Sequence, residues 1–207
     1  MSLELKMKIL GRDVKVKLSK VAKTMDSYGK FVTRTARGIL AKEGKNATGN
    51  LSASIQHKVV QDKDGNTNVV WDMAGAPYWV FVEKGVKGAV SDAKAPDSPF
   101  KFGSGSGEKG TLQPAIRQWI VDKPIEQWQS RKTGRFMSYD DMSFIISRNV
   151  YMNGIAPTPF LEPTVAAQYK RYKRLIENAY TKDIGNAIGV ILEDEASKVV
   201  VEYNLIS

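Results

Sequence analysis

The chain has 207 residues, 42% of them hydrophobic and 9% aromatic, enough to bury a core in one domain carrying an elaborated insertion. It has no cysteine and a single histidine, His57. This excludes disulfides, thiolate nucleophiles and thiolate metal sites, and it leaves a Ser-His-Asp arrangement only if His57 itself serves. The formal net charge is +9, and residues 1–45 carry +8 of it, with twelve Lys or Arg against four acids. Such a balance suits contact with nucleic acid or an acidic protein surface, and equally a solvated basic face.

At the N-terminus, residues 1–10 lack the apolar core of a signal peptide, and no stretch reaches the roughly 18 apolar residues of a membrane span. The expectation is a soluble, intracellular chain with no membrane partner, in which the sequons at Asn46 and Asn50 carry no meaning. Leu5, Met7 and Ile9 alternate on one parity and Val14, Val16 and Leu18 on the other. With Gly11-Arg12-Asp13 as a turn between them, they read as a two-stranded ribbon. Ser19 reads as the N-cap of a helix running to about Glu43 and ended by Gly44. Its buried stripe is Val21, Met25, Tyr28, Val32, Ala36 and Ile39, with Lys20, Lys23, Lys30, Arg34 and Lys42 off it.

The period then shortens. Leu51, Ala53, Ile55 and Val59-Val60 predict a strand over about 51–61, and Asp62 to Asn66 a turn. Val69–Met73 and Tyr78–Glu83, rich in β-branched and aromatic residues, complete an antiparallel meander. Gly85 to Gly110 is a long Gly/Ser/Pro/Lys-rich surface loop, of the kind that is either functional or ordered on binding. Helices are expected at about 111–121 and 139–152, joined by an exposed link containing Pro124 and Gly134. After Pro163 a further helix shows Val165, Tyr169, Tyr172, Ile176 and Ala179 as its apolar stripe, and Val199-Val200-Val201 suggests a terminal strand.

Several strings imitate chemistry. Gly105 to Gly110 spells G-x-G-x-x-G, but Ser98-Pro99-Phe100-Lys101-Phe102 before it makes a poor central strand, so a flexible loop is the better reading. Lys109-Gly110-Thr111 misses the Walker order. Asp140-Asp141 suits a helix N-terminus better than a metal, and the neighbours in Glu193-Asp194-Glu195 diverge by about 100° on a helix. No catalytic, metal or cofactor residues emerge. Lys170, Arg171, Lys173 and Arg174, interleaved with Tyr169 and Tyr172, are candidates for facing DNA or an acidic partner. On helical spacing, however, the tyrosines belong to the buried stripe.

Three phrases stand in order along the chain: Thr48-Gly49-Asn50-Leu51-Ser52-Ala53-Ser54-Ile55, then Tyr78-Trp79-Val80-Phe81-Val82-Glu83-Lys84-Gly85, then Pro157-Thr158-Pro159-Phe160-Leu161-Glu162-Pro163. They resemble the tail-completion (head–tail joining, neck) proteins of tailed bacteriophages, the gene-product-ten-like family of lambdoid phages. There the phrases read roughly Thr-Gly-x-Leu-x-x-Ser-Ile, Tyr-x-x-Phe-Val-Glu-x-Gly-Thr and Pro-Phe-Leu-x-Pro-Ala. The matching positions are Thr48, Gly49, Leu51, Ser54, Ile55, Tyr78, Phe81, Glu83, Gly85, Pro159, Phe160, Leu161 and Pro163; Val86, Glu162 and Thr164 depart from the pattern.

The resemblance implies a single α+β domain over 1–207. An antiparallel β-meander would pack against an N-terminal helix and a long C-terminal helix, with a loop-plus-helices insertion at about 85–155. Phe160 and Leu161 would anchor the last helix on the sheet, and the 85–110 loop would order against a neighbour. The resemblance further implies a structural, non-enzymatic subunit of a hexameric ring, without cofactor. Its partners would be the head–tail connector and the tail terminator or tube proteins, around the path of genomic DNA. Assembly would take place in the host cytoplasm and the product would reside in the virion neck. A sequence-independent nucleic-acid binder using the basic first helix is the second reading, and a hydrolase or nucleotide enzyme the third.

Overall fold

The N-terminal alternation pairs as a hairpin in the computed structural model, which describes residues 3–9, 11–105 and 110–206, with side chains through 194. Strands β1 (Glu4–Ile9) and β2 (Arg12–Lys17) are antiparallel with Leu5 opposite Val16 and Met7 opposite Val14. Gly11 turns between them at φ +78°, so Arg12 and Asp13 already belong to the second strand. Helix α1 (Ser19–Lys42) follows; Ser19 is its first residue rather than its cap. Its buried stripe is the predicted one except at the end, where Leu40 is buried and Ile39 is only half-buried. Gly44, at φ +62°, closes the helix as the bonds from the N–H of Gly44 to Ala41 and of Lys45 to Leu40 take up its last carbonyls.

One predicted strand turns out helical, and another begins as a helix. Residues Asn50–Ser54 form the short helix α2 and leave the strand β3 only Gln56–Gln61. Leu51 and Ile55 satisfy period two and period four alike; Gly49 in the left-handed region starts a helical turn that buries both on one face. Strand β4 (Thr67–Asp72) pairs with β3 antiparallel, as expected, with Val59 opposite Val69. The third meander strand is instead helix α3 (Trp79–Lys84), whose place in the structure is fixed by Glu83, as described below. Helices α4 (Leu112–Asp122) and α5 (Tyr139–Asn153) lie within a residue of their predicted limits. Ser138 caps α5, accepting from the N–H of Asp141, and Asp140 and Asp141 occupy its first turn. Helix α6 runs unbroken over Glu162–Ile206, so Val199 to Val201 are helical, not a strand.

The fold is thus α+β, with two small two-stranded antiparallel sheets. The chain forms two compact units. One comprises residues 1–34, 56–72 and 164–207; the other comprises 35–55 and 73–163. The first unit holds both hairpins, most of α1 and nearly all of α6. Its core is Leu3, Val16, Leu18, Val21, Met25 and Ala179, with Val59, Val69, Ile176 and Ala187 against it. Gln61 ties the hairpins together: its amide donates to the carbonyls of Glu4 and Gly65, and its oxygen accepts from the N–H of Glu4. Within this unit α1 and α6 run antiparallel. Asp183 meets the start of α1, while the Tyr28 hydroxyl, one to two turns on, donates to the carbonyl of Val165.

The second unit is built on α4 packed against α5, with Ile120, Met142 and Ser143 fully buried. The long segment after Gly85 is tied back within the unit. Val86 bridges Ile155, Lys87 bridges Lys101, and the buried Ser98 hydroxyl donates to the Gly85 carbonyl. The G-x-G-x-x-G string lies largely outside the described residues, at 106–109, and no strand precedes it. The link after α4 folds back on itself as a small arm, in which Gln129 bridges Phe136 and Met137 N–H donates to the Trp128 carbonyl.

Candidate functional site

The second and third phrases meet. Helix α3 presents Glu83, which is only 2% exposed, to the start of α6. Its Oε2 accepts from the N–H of Phe160 at 2.9 Å and of Leu161 at 3.1 Å, and its Oε1 from the N–H of Glu162 at 3.0 Å. These amides precede or open α6, where no intrahelical acceptor exists and the helix dipole is positive. A carboxylate there makes charge-assisted bonds, each worth more than a neutral one. One residue from the second phrase therefore fixes the backbone of the third, across 77 to 79 positions of sequence.

The neighbouring residues of both phrases complete this joint. Thr158 N–H donates to the Val82 carbonyl, and Val86 and Ile155 exchange two backbone bonds. Gly85, at φ +69°, lies so close to the returning chain that a Cβ would stand 2.6 Å from the Ile155 carbonyl oxygen. Phe160 is fully buried and Leu161 nearly so, but they sit in the second unit, which contains neither sheet. Pro159 and Pro163 flank them, Pro163 as the second residue of α6, a place that needs no N–H. Tyr78 and Phe81 are exposed, although Phe81 stacks edge-on against Phe100 at 4.6 Å. On the surface Lys84 pairs with Glu162. The first phrase forms α2: Thr48 Oγ1 accepts from Asn50 N–H at 3.4 Å, Ser54 Oγ donates to Leu51, and Arg37 holds the Ile55 carbonyl at 2.8 Å.

Of the four cations of α6, only Arg171 lines the groove toward α1, where it lies 5.9 Å above the Tyr172 ring. Lys173 reaches forward to Glu177 at 4.0 Å. Lys170 and Arg174, four residues apart, share a face of the helix and are exposed. The tyrosines part company too: Tyr172 is buried at 8% exposure beside Tyr28, but Tyr169 is 57% exposed and leaves the predicted stripe.

Two residues that sequence reasoning passed over, or treated alone, acquire partners. Asp183, buried, places Oδ2 2.9 Å from the N–H of Lys20 and 3.0 Å from that of Val21, and so caps α1 in place of Ser19. An acid four residues beyond Ala179 on the buried stripe was the signal. His57 packs over Gly29, donates from Nε2 to Asp26 Oδ1 at 3.1 Å, and turns Nδ1 toward Thr33 Oγ1 at 3.4 Å. Lys30 takes the other oxygen of Asp26 at 2.6 Å, and these bonds, Lys30 first, hold the Asp26 carboxyl below its ordinary range. The atom order is that of a hydroxyl–imidazole–carboxylate relay, but Thr33 is buried, so an electrophile would have to displace its neighbours. We read it as a latch between β3 and α1.

Among the described residues no group of three His, Asp or Glu could hold a metal ion, and no helix is long and apolar enough to cross a membrane. The chain matches no protein-family model, no curated protein and no solved structure.

Proposed function

We propose that the chain is a structural subunit of the bacteriophage neck, a ring-forming tail-completion protein that joins the head connector to the tail tube around the path of DNA. The observation that carries this reading is the Glu83 joint. The second and third phrases of the resemblance act on each other through a buried carboxylate, which supports reading them as framework. Phrases used in this way belong to a protein that presents surfaces.

Exposed apolar side chains support the same reading. Beyond Ala187, the last of the described residues packed on the first unit's core, α6 carries Ile188, Val190 and Leu192 to solvent, Val190 at 66% exposure. In the second unit the arm and helix α5 expose Trp128, Phe136, Phe144 and Ile145. Single exposed apolar residues are ordinary, but several together mark association surfaces. Different patches on one subunit suit head-to-tail contacts, which close into a ring when the rotation divides the circle. The protein would act without cofactor, assemble in the host cytoplasm and remain in the virion.

Co-elution tests this. The chain should bind the connector or tail-terminator protein encoded beside it in a stoichiometric complex. A chain that ignores both partners and stays monomeric at high concentration would overturn the reading.

A further inference from the structure

The antiparallel packing of α1 and α6 leaves a groove of about 520 Å³ between their outer shoulders, wholly within the first unit. Lys20 and Lys23 line it from α1, Arg171 and Lys182 from α6, with Ser27 and Asn178 between them. No acid lines it. Asp183, next to Lys182 in the chain, is buried and committed to the amides of Lys20 and Val21. Lys20 Nζ has a neutral neighbour, the Asn186 amide, whose oxygen faces it at 3.0 Å, so its charge stays unneutralised.

We propose that this groove is a binding track for the phosphodiester backbone of duplex nucleic acid, read without regard to sequence. Residues 171 to 182 span about 16 Å at 1.5 Å per residue, the length of about five base-pair steps of duplex axis at 3.4 Å each. Cations stand at both ends of that span, with hydroxyl and amide donors between them, the mix that contacts phosphate and sugar. Single strands are disfavoured because the groove's aromatic ring, Tyr172, is packed against Tyr28 and offers no face for stacking. An acidic protein segment is disfavoured because the groove is open and, of its apolar lining, Tyr172 and Ala179 are buried, which leaves Leu175 as its exposed apolar contact. The inference does not require a ring and stands or falls apart from the neck reading.

The test is fluorescence anisotropy of two labelled 20-base-pair duplexes of unrelated sequence across a salt series. Two triple variants of equal charge loss are compared: K23Q/R171Q/K182Q in the groove and K170Q/K173Q/R174Q beside it. All six positions are exposed, and circular dichroism melting checks each variant. The wild type should bind both duplexes equally, with log K falling by about 3.6 per decade of salt for four contacts. The groove variant should weaken binding at least about tenfold at 100 mM salt and flatten the slope by about 2.7, while the flanking variant changes it less than about twofold. Should the groove triple not fold, K23Q alone should still flatten the slope by about 0.9. Equal weakening by both triples would reduce the effect to net charge and overturn the proposal. So would stronger competition by poly-glutamate than by unlabelled duplex, which would assign the groove to an acidic protein surface. Absence of binding at 50 mM salt would end it.

Discussion

Both long helices open against a carboxylate from a distant part of the chain, yet the two joints differ. Glu83 gives three bonds to the approach and first residue of α6, in a setting where Gly85 lets the backbone press close. Asp183 gives two bonds to the start of α1, and its surroundings are lysines and an open groove. One joint is closed framework; the other is framework at the floor of a charged surface. The comparison teaches that a buried acid capping a helix marks architecture, and that the residues around it decide whether the place can also bind something.

Mutation of the two acids should separate them. Glu83→Ala leaves three amides without their acceptor in a buried setting and should cost roughly 3 kcal/mol or more, the largest single effect expected here. Urea denaturation would read it; a loss below about 1 kcal/mol would show that the joint is not what holds α6. Gly85→Ala should cost about 2 kcal/mol through its positive φ and its overlap with the Ile155 carbonyl, without touching the carboxylate. Asp183→Ala should cost about 1.5 to 2 kcal/mol, because it removes two charge-assisted bonds and a favourable dipole contact. It should also strengthen duplex binding in the groove slightly, by removing a negative charge beside Lys20 and Lys182, whereas Glu83→Ala should leave duplex binding unchanged.

How much of this was legible in the sequence follows from the range of each interaction. The β1–β2 ribbon, α1, α4, α5 and the start of α6 came through because their signals are local: period, caps, a terminating glycine. Residues 50–55 and 79–84 did not. Leu51 and Ile55 fit two periods at once, and the aromatic and β-branched content of Trp79 to Val82 argued for a strand. What decided the second case was Glu83, whose partners lie 77 to 79 residues away. The same limit hid Asp183, 163 positions from Lys20. It also hid the groove, since Lys20 and Lys23 were visible as off-stripe cations but nothing local pairs them with Lys182. The phrases identified Glu83 and Phe160 as important without saying that they meet.

The weakest expected effect belongs to Asp26, which carries neither kind of joint. Its carboxyl is held below the ordinary range by Lys30 and then by the His57 bond. A group lowered in the folded state contributes stability above its unfolded value, near 3.8, and loses it as pH falls through the folded value. Asp26 is exposed to solvent, so the contribution at pH 7 should stay under about 1 kcal/mol. Asp26→Asn should therefore lower the urea midpoint slightly at pH 7 and leave it unchanged at pH 2. A larger loss at pH 2 than at pH 7 would contradict the assignment.

The claim that the chain builds a ring is tested most directly by native mass spectrometry of the purified protein across a concentration series, with L192K alongside. The account predicts one closed stoichiometry, near six, that persists on dilution and is lost in the variant. A monomer at every concentration, or an open ladder of sizes unmoved by L192K, would contradict it.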